Sequence, residues 1–252
     1  MSTGKPRLKA ATLHLLVSGV IAGVVTALIL LLWYPGQYAE IARGLKLIIL
    51  VAGVDIVLGP LLTLVVFNPV KSRTELVRDI SVIALLQASA LIYGVHTVFV
   101  ARPVALVFEG SQFRLVSAAE VEQKELVQAS PGLRKLSLTG PIILGAREFK
   151  DAKEKSDATF TAFAGADIGV RPSFWQNYEQ SAEKVKLLAK PLSILRSKYP
   201  GQKALIDRAV QESGLPDTAL GFVPLIARGT EWSVLVDAES SAVKGFVKLD
   251  GF

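Results

Sequence analysis

Three apolar stretches, each long enough to cross a bilayer, fill most of the first hundred residues, and they constrain the fold more than anything else in the chain. Residues 11–34 (ATLHLLVSGVIAGVVTALILLLWY), 45–67 (LKLIILVAGVDIVLGPLLTLVVF) and 80–100 (ISVIALLQASALIYGVHTVFV) each meet the requirement of about 20 predominantly apolar residues for a transmembrane helix. The first ends in Trp33-Tyr34, a pair suited to the membrane interface, and Arg102-Pro103 closes the third. The first stretch is too long for the apolar region of a secretory signal, and no small-residue cleavage pattern follows Trp33-Tyr34-Pro35. It is therefore expected to be retained as an anchor.

Beyond residue 100 the character changes. Most of the charge lies in residues 101–252, which read as an ordinary water-facing domain, so the hydrophobic share of 51% averages two unlike halves. The expected organisation is a transmembrane domain over residues 1–100 and an α+β domain over 101–252. The net charge of +6 is accounted for by two short clusters, Lys5, Arg7 and Lys9, and Lys71, Arg73 and Arg78, each beside an apolar run. In that setting they are topology signals and contacts for anionic lipid head groups, and no nucleic-acid partner is expected. The chain has no cysteine, which excludes disulfides, zinc-thiolate sites, iron-sulfur clusters and cysteine nucleophiles.

If all three stretches cross, both basic clusters lie on one side. The loop at 35–44 offers only Arg43 against Glu40. The excess of Lys and Arg then places the N-terminus and the 68–79 connection in the cytoplasm, and the third span carries residues 101–252 out of it.

The second span carries a feature that no plain anchor needs. Asp55 sits near its middle, where a carboxylate costs about 2.5–3.5 kcal/mol on insertion scales, and Gly59-Pro60 follows one turn later. No Lys or Arg lies within the other spans to pair with it. Gln87 and Ser89 on the third span and Thr26 on the first lie at comparable depth and are candidate hydrogen-bond partners, while His14 is nearer the inner face and His96 nearer the outer. Three roles stay open: a bond that holds the chain's own helices together while Gly53, Gly59 and Pro60 permit close packing and a bend, a contact with another protein's membrane helix, or part of an ion path. With no inverted repeat and no second set of broken helices, three spans make a poor transporter.

In the C-terminal half, residues 104–108 (VALVF) and 112–116 (QFRLV) read as a hairpin about Glu109-Gly110-Ser111. Residues 118–129 read as a helix, with Ser117 as N-cap and Glu120 at the capping-box spacing, and 141–146 as a strand. The pattern from 175 to 214 is helical, broken at Pro191 and at Tyr199-Pro200-Gly201. Strands are expected at 221–227, 231–237 and 243–249, with turns at Arg228-Gly229-Thr230 and Ser240-Ser241. The fold class is thus an integral membrane protein of three transmembrane α-helices followed by a soluble α+β domain with an antiparallel sheet. Trp232, Phe246 and Phe222 alternate as core residues do. This half has no histidine or cysteine, no glycine-rich phosphate loop and no nucleophile elbow, so neither an enzymatic activity nor a cofactor or metal is expected. The cluster Phe174-Trp175-Gln176-Asn177-Tyr178 is its best candidate binding patch, with Trp175 and Tyr178 at its centre. The alternative is an aromatic anchor that packs a loop on the sheet.

Several stretches together carry a resemblance: Trp33-Tyr34-Pro35-Gly36 leaving the first span, VDIVLGPLLTLVVFNP at 54–69, Ala101-Arg102-Pro103-Val104, and the closing Lys248-Leu249-Asp250-Gly251-Phe252. Over nearly its whole length the chain resembles the TfpX/TfpZ family of type IV pilin accessory proteins, most specifically in the second-span signature. The resemblance implies a multi-pass protein of a bacterial inner membrane with its C-terminal domain in the periplasm. It implies a chaperone or assembly factor that stabilises a cognate major pilin before incorporation, with other pilus assembly proteins as further partners. Asp55, Gly59, Pro60, Asn68 and Pro69 carry over as signature positions. The rival reading is an envelope sensor or a structural partner of another membrane machine.

Overall fold

The computed structural model describes residues 4–228 and 230–252, and the chain divides into two compact units, Met1–Ala101 and Arg102–Phe252. The first unit is helical: α1 (Gly4–Leu32), a single turn α2 (Tyr38–Ile41), α3 (Gly44–Val66) and α4 (Arg73–Ala101). Of these, α1, α3 and α4 are long and apolar enough to cross a membrane. Two of them run past the apolar stretches that define them. Helix α1 takes in Lys5, Arg7 and Lys9, and α4 begins at Arg73 behind a capping box, in which Ser72 Oγ accepts the Glu75 N–H (3.3 Å) and the Glu75 carboxylate accepts the Ser72 N–H (2.9 Å).

Helix α3 lies between α1 and α4 and packs against both. Its buried positions, Gly44, Ile48, Asp55, Gly59 and Thr63, recur at four and seven residues and so form one stripe. Matching stripes are Ala11, Ser18, Ala22 and Ile29 on α1 and Ile83, Gly94 and Val98 on α4. The remaining faces expose leucine and valine, among them Leu16, Val20, Leu50 and Leu86, as a bilayer requires. Close approach is set by Gly44, packed against the Tyr34 ring, and by Gly94, packed against Val51. Gly53, expected to serve this purpose, faces open space. At the Tyr34 end of the unit the two residues that follow α1 reach α4: the Tyr34 hydroxyl donates to the Val98 carbonyl (3.1 Å), and the Trp33 and Phe99 rings lie 5.0 Å apart.

The second unit builds one sheet from eight strands: β1 (Pro103–Phe108), β2 (Phe113–Ser117), β3 (Ile142–Ala146), β4 (Trp175–Asn177), β5 (Lys190–Pro191), β6 (Leu220–Ala227), β7 (Thr230–Asp237) and β8 (Val243–Val247). The order is β4-β3-β1-β2-β6-β7-β8, and β5 pairs with β6. Most pairings are antiparallel, including the β1–β2 hairpin, whereas β1–β3 and β2–β6 are parallel. Helices α5 (Ala152–Phe163), α6 (Ala182–Leu188), α7 (Leu192–Lys198) and α8 (Lys203–Ser213) fill the connections. Breaks fall at Pro191 and at Tyr199-Pro200-Gly201, as expected. One core cluster gathers Val104, Val107, Leu133, Leu144 and Trp175; another gathers Leu195, Ile206, Phe222, Leu235 and Val247. Phe222, Trp232 and Phe246 are buried. Of the expected turn at Arg228-Gly229-Thr230, Gly229 lies outside the described residues.

Two local expectations are corrected. Residues 118–129 form no α-helix but a turn and a 3-10 segment, Gln123–Gln128. The Ser117–Glu120 pair does form, with Ser117 Oγ donating to the Glu120 carboxylate (2.6 Å). The chain beyond is pulled aside: the Glu122 N–H donates to the Val170 carbonyl (2.9 Å), and the Glu125 carboxylate accepts from Arg171 and Ser173. Residues 175–177 are a strand, because they pair with β3, rather than the start of a helix. Helix α5 carries no apolar stripe, burying Ala158, and is set instead by its Asp151 N-cap, whose carboxylate accepts the Glu154 N–H (2.7 Å).

Candidate functional site

The second unit has a polar cleft of about 480 Å³ between α5 and the segment leading into β4. Its two arginines are already partnered. Arg147 makes two hydrogen bonds with the Glu154 carboxylate (both 2.8 Å), and Arg171 pairs with Glu125 (2.8 Å). The two guanidinium groups lie 4.6 and 4.9 Å from the Phe174 ring centroid. The bond from Arg147 pulls the Glu154 carboxyl down to about 2. A second buried pair joins Glu109 to Arg114, which also donates to Asp167 (2.5 Å); burial pushes the Glu109 carboxyl up. These are ties within the domain.

The aromatic cluster is tied in the same way. Trp175 is buried and its indole N–H donates to the Gly169 carbonyl (2.8 Å). The Tyr178 hydroxyl donates to the Ser241 carbonyl (2.5 Å), and burial raises its pKa to about 12. Both side chains anchor loops on the sheet.

The membrane unit is different. Asp55 is 7% exposed, and its Oδ1 has no hydrogen-bond partner among the described residues. Around it the polar groups of all three long helices converge. Gln87 Nε2 of α4 donates to the Asp55 backbone carbonyl (3.2 Å), which fixes which way the Gln87 amide points. Its oxygen therefore accepts from His14 Nε2 of α1 (2.6 Å). In the neutral ring the other nitrogen, Nδ1, is an acceptor and takes the Thr63 hydroxyl of α3 (2.5 Å). The donors nearest Asp55 are thus directed at each other and at the backbone, not at its carboxylate.

This arrangement explains the spacing of the signature residues. Asp55, Gly59 and Thr63 stand at i, i+4 and i+8 on one face of α3. A Cβ at Gly59 would overlap the Gln87 carboxamide and push it off its bonds to the Asp55 carbonyl and His14. Helix α3 runs continuously through Pro60, which offers no N–H to the carbonyl one turn before. Asn68 and Pro69 form the exit from the helix. The Asn68 carboxamide accepts the Val70 N–H (3.2 Å), and Lys71 Nζ reaches back to the Val66 carbonyl (3.4 Å) and to Asp79 (2.6 Å). The turn is thus remote from the Asp55 cluster in role.

Of the partners expected for Asp55, Gln87 is present but reaches its backbone carbonyl. Ser89 donates to Leu85 on its own helix (2.9 Å), and Thr26 makes no hydrogen bond to Asp55 among the described residues. His14 and Thr63 were missed. The 55-59-63 spacing carried the signal for Thr63; His14 depends on how far α1 and α3 slide along each other.

A family model described as "Fimbrial assembly protein FimB" matches residues 2–43. The fimbrial assembly protein of Dichelobacter nodosus serogroup E1 is 37% identical over 246 residues, covering 97% of this chain and 95% of that protein. Its serogroup I counterpart is 36% identical over 247 residues, with the same coverage of both chains. That of serogroups C1 and C2 is 40% identical over 121 residues, 48% of this chain and 92% of that protein. No solved structure matches the chain.

Proposed function

Because the chain belongs to the fimbrial assembly protein family, we propose that it serves type IV pilus assembly as an accessory of the TfpX/TfpZ kind, holding the major pilin in the membrane until it is incorporated. The observation that carries this reading is similarity along 97% of the chain to a fimbrial assembly protein. The similarity runs through both units, so the whole architecture, and not the membrane helices alone, is what the two proteins share.

That architecture suits the task. An unassembled pilin is a single membrane helix with a water-facing head, and an escort for it needs a surface in each phase. The three long apolar helices offer one and the α+β domain the other. In this reading the basic flanks are cytoplasmic, the membrane is the bacterial inner membrane, and the second unit is periplasmic. The protein acts by binding, without catalysis or a cofactor; the pilin and the bilayer are its partners, other assembly proteins join them, and nucleic acid has no part.

Deleting the gene tests this. The expected result is a fall in total membrane pilin and in surface pili, both restored by the gene in trans. Unchanged pilin and unchanged piliation would overturn the assignment.

A further inference from the structure

We propose that the groove between α1 and α4, floored by Asp55, is the receptor for a membrane helix of the client, which brings one hydrogen-bond donor to the Asp55 carboxylate. This rests on the reading of the client as a membrane-anchored pilin, and it adds where that helix docks and by what chemistry.

Over this stretch the α1 and α4 backbones stand apart on either side of α3, bridged by the His14–Gln87 hydrogen bond, and a groove of about 250 Å³ lies between them. Its walls include Val17 and Ile21 of α1 and Ala84 and Ala88 of α4, all exposed, so it opens sideways onto the surface that a bilayer covers. Asp55 lines it from α3, with His14 and Gln87 beside it. Ala84 and Ala88, one turn apart, leave the α4 wall low enough for a helix backbone to approach.

The occupant follows from what the floor lacks. Asp55 is 7% exposed, its Oδ1 has no partner among the described residues, and His14 and Gln87 point their bonds elsewhere. A buried acceptor without a donor is costly, and lipid tails cannot supply one. A hydroxyl, amide or ammonium on an entering helix can. Apart from Ser18 on α1, the walls above the polar floor are apolar, as the rest of such a helix would be.

Site-directed photocrosslinking in membranes of pilin-producing cells tests the proposal. Probes at Ile21 and Ala88 in the groove are compared with probes at Leu16 and Leu86 on the opposite faces. Groove probes should capture pilin at least fivefold more than the others. Asp55→Leu should lower groove capture at least tenfold at equal protein abundance. Ala84→Leu, which fills the groove while leaving Asp55, His14 and Gln87 in place, should do the same and covers the case in which Asp55→Leu fails to accumulate. Capture retained in Asp55→Asn identifies an uncharged donor; capture lost in Asn as in Leu identifies an ammonium. Pilin captured equally from Leu16 and Leu86 would overturn the groove and leave the pilin assignment standing. A second copy of this chain captured in place of pilin would overturn the occupant. No capture at any position would overturn the groove, and pilin levels in the deletion strain would then decide the pilin assignment separately.

Discussion

Gly59 and Gln87 show how tightly the membrane site is specified at the level of single atoms. A methyl group at Gly59 would fall on the Gln87 carboxamide, while the same group at Gly53 meets nothing. Replacing a helix-interior glycine by alanine is ordinarily worth about 1 kcal/mol in favour of the helix. Gly53→Ala should therefore be neutral or mildly stabilising in thermal unfolding in detergent, and Gly59→Ala destabilising. Adding Gln87→Ala should cancel most of the Gly59→Ala effect, because the overlapping group is gone. Asp55 was legible in the sequence as a carboxylate out of place in an apolar run. Its surroundings were not, because His14 and Gln87 meet only in a particular vertical register of three helices, and composition leaves that register free.

Helix α5 marks the limit of pattern reading at the next scale. It lacks the apolar periodicity that reveals α8, and it is fixed by polar ties, the Asp151 cap and the two-pronged Arg147–Glu154 bond. The strands were easier, since alternation and runs of valine, leucine and isoleucine at 104–108, 221–227 and 231–237 mark a buried sheet. Where Ser117 and Glu120 promised a helix, the local pair formed and the tertiary bonds of Glu122 and Glu125 outweighed it. The Arg147–Glu154 tie also predicts a pH dependence. The Glu154 carboxyl is held at about 2, below its ordinary 4.5, so its charged form is favoured by folding. Its contribution is fully present above pH 4.5 and is lost as pH falls toward 2. Amide protection factors in α5, which allow for the slower intrinsic exchange at low pH, should fall over that window, and Glu154→Gln should remove the dependence while leaving α5 less protected at neutral pH.

For the whole molecule, the two-unit organisation was the most legible feature, because hydropathy alone separates the halves. The same asymmetry of charge makes orientation testable: alkaline phosphatase fused after Val104 should be active and a fusion near Arg73 inactive. The reverse pattern would place the α+β domain in the cytoplasm, away from the pilin head. In the proposed function this protein holds unassembled pilin in the membrane. The most direct test is isolation of the full chain from pilus-producing membranes in mild detergent, with the unassembled pilin that comes with it quantified against an unrelated three-span control. Strong enrichment of pilin is expected, lost in Ala84→Leu at equal recovery of the protein. Pilin at the level of the control, from cells in which both proteins are abundant, would contradict it.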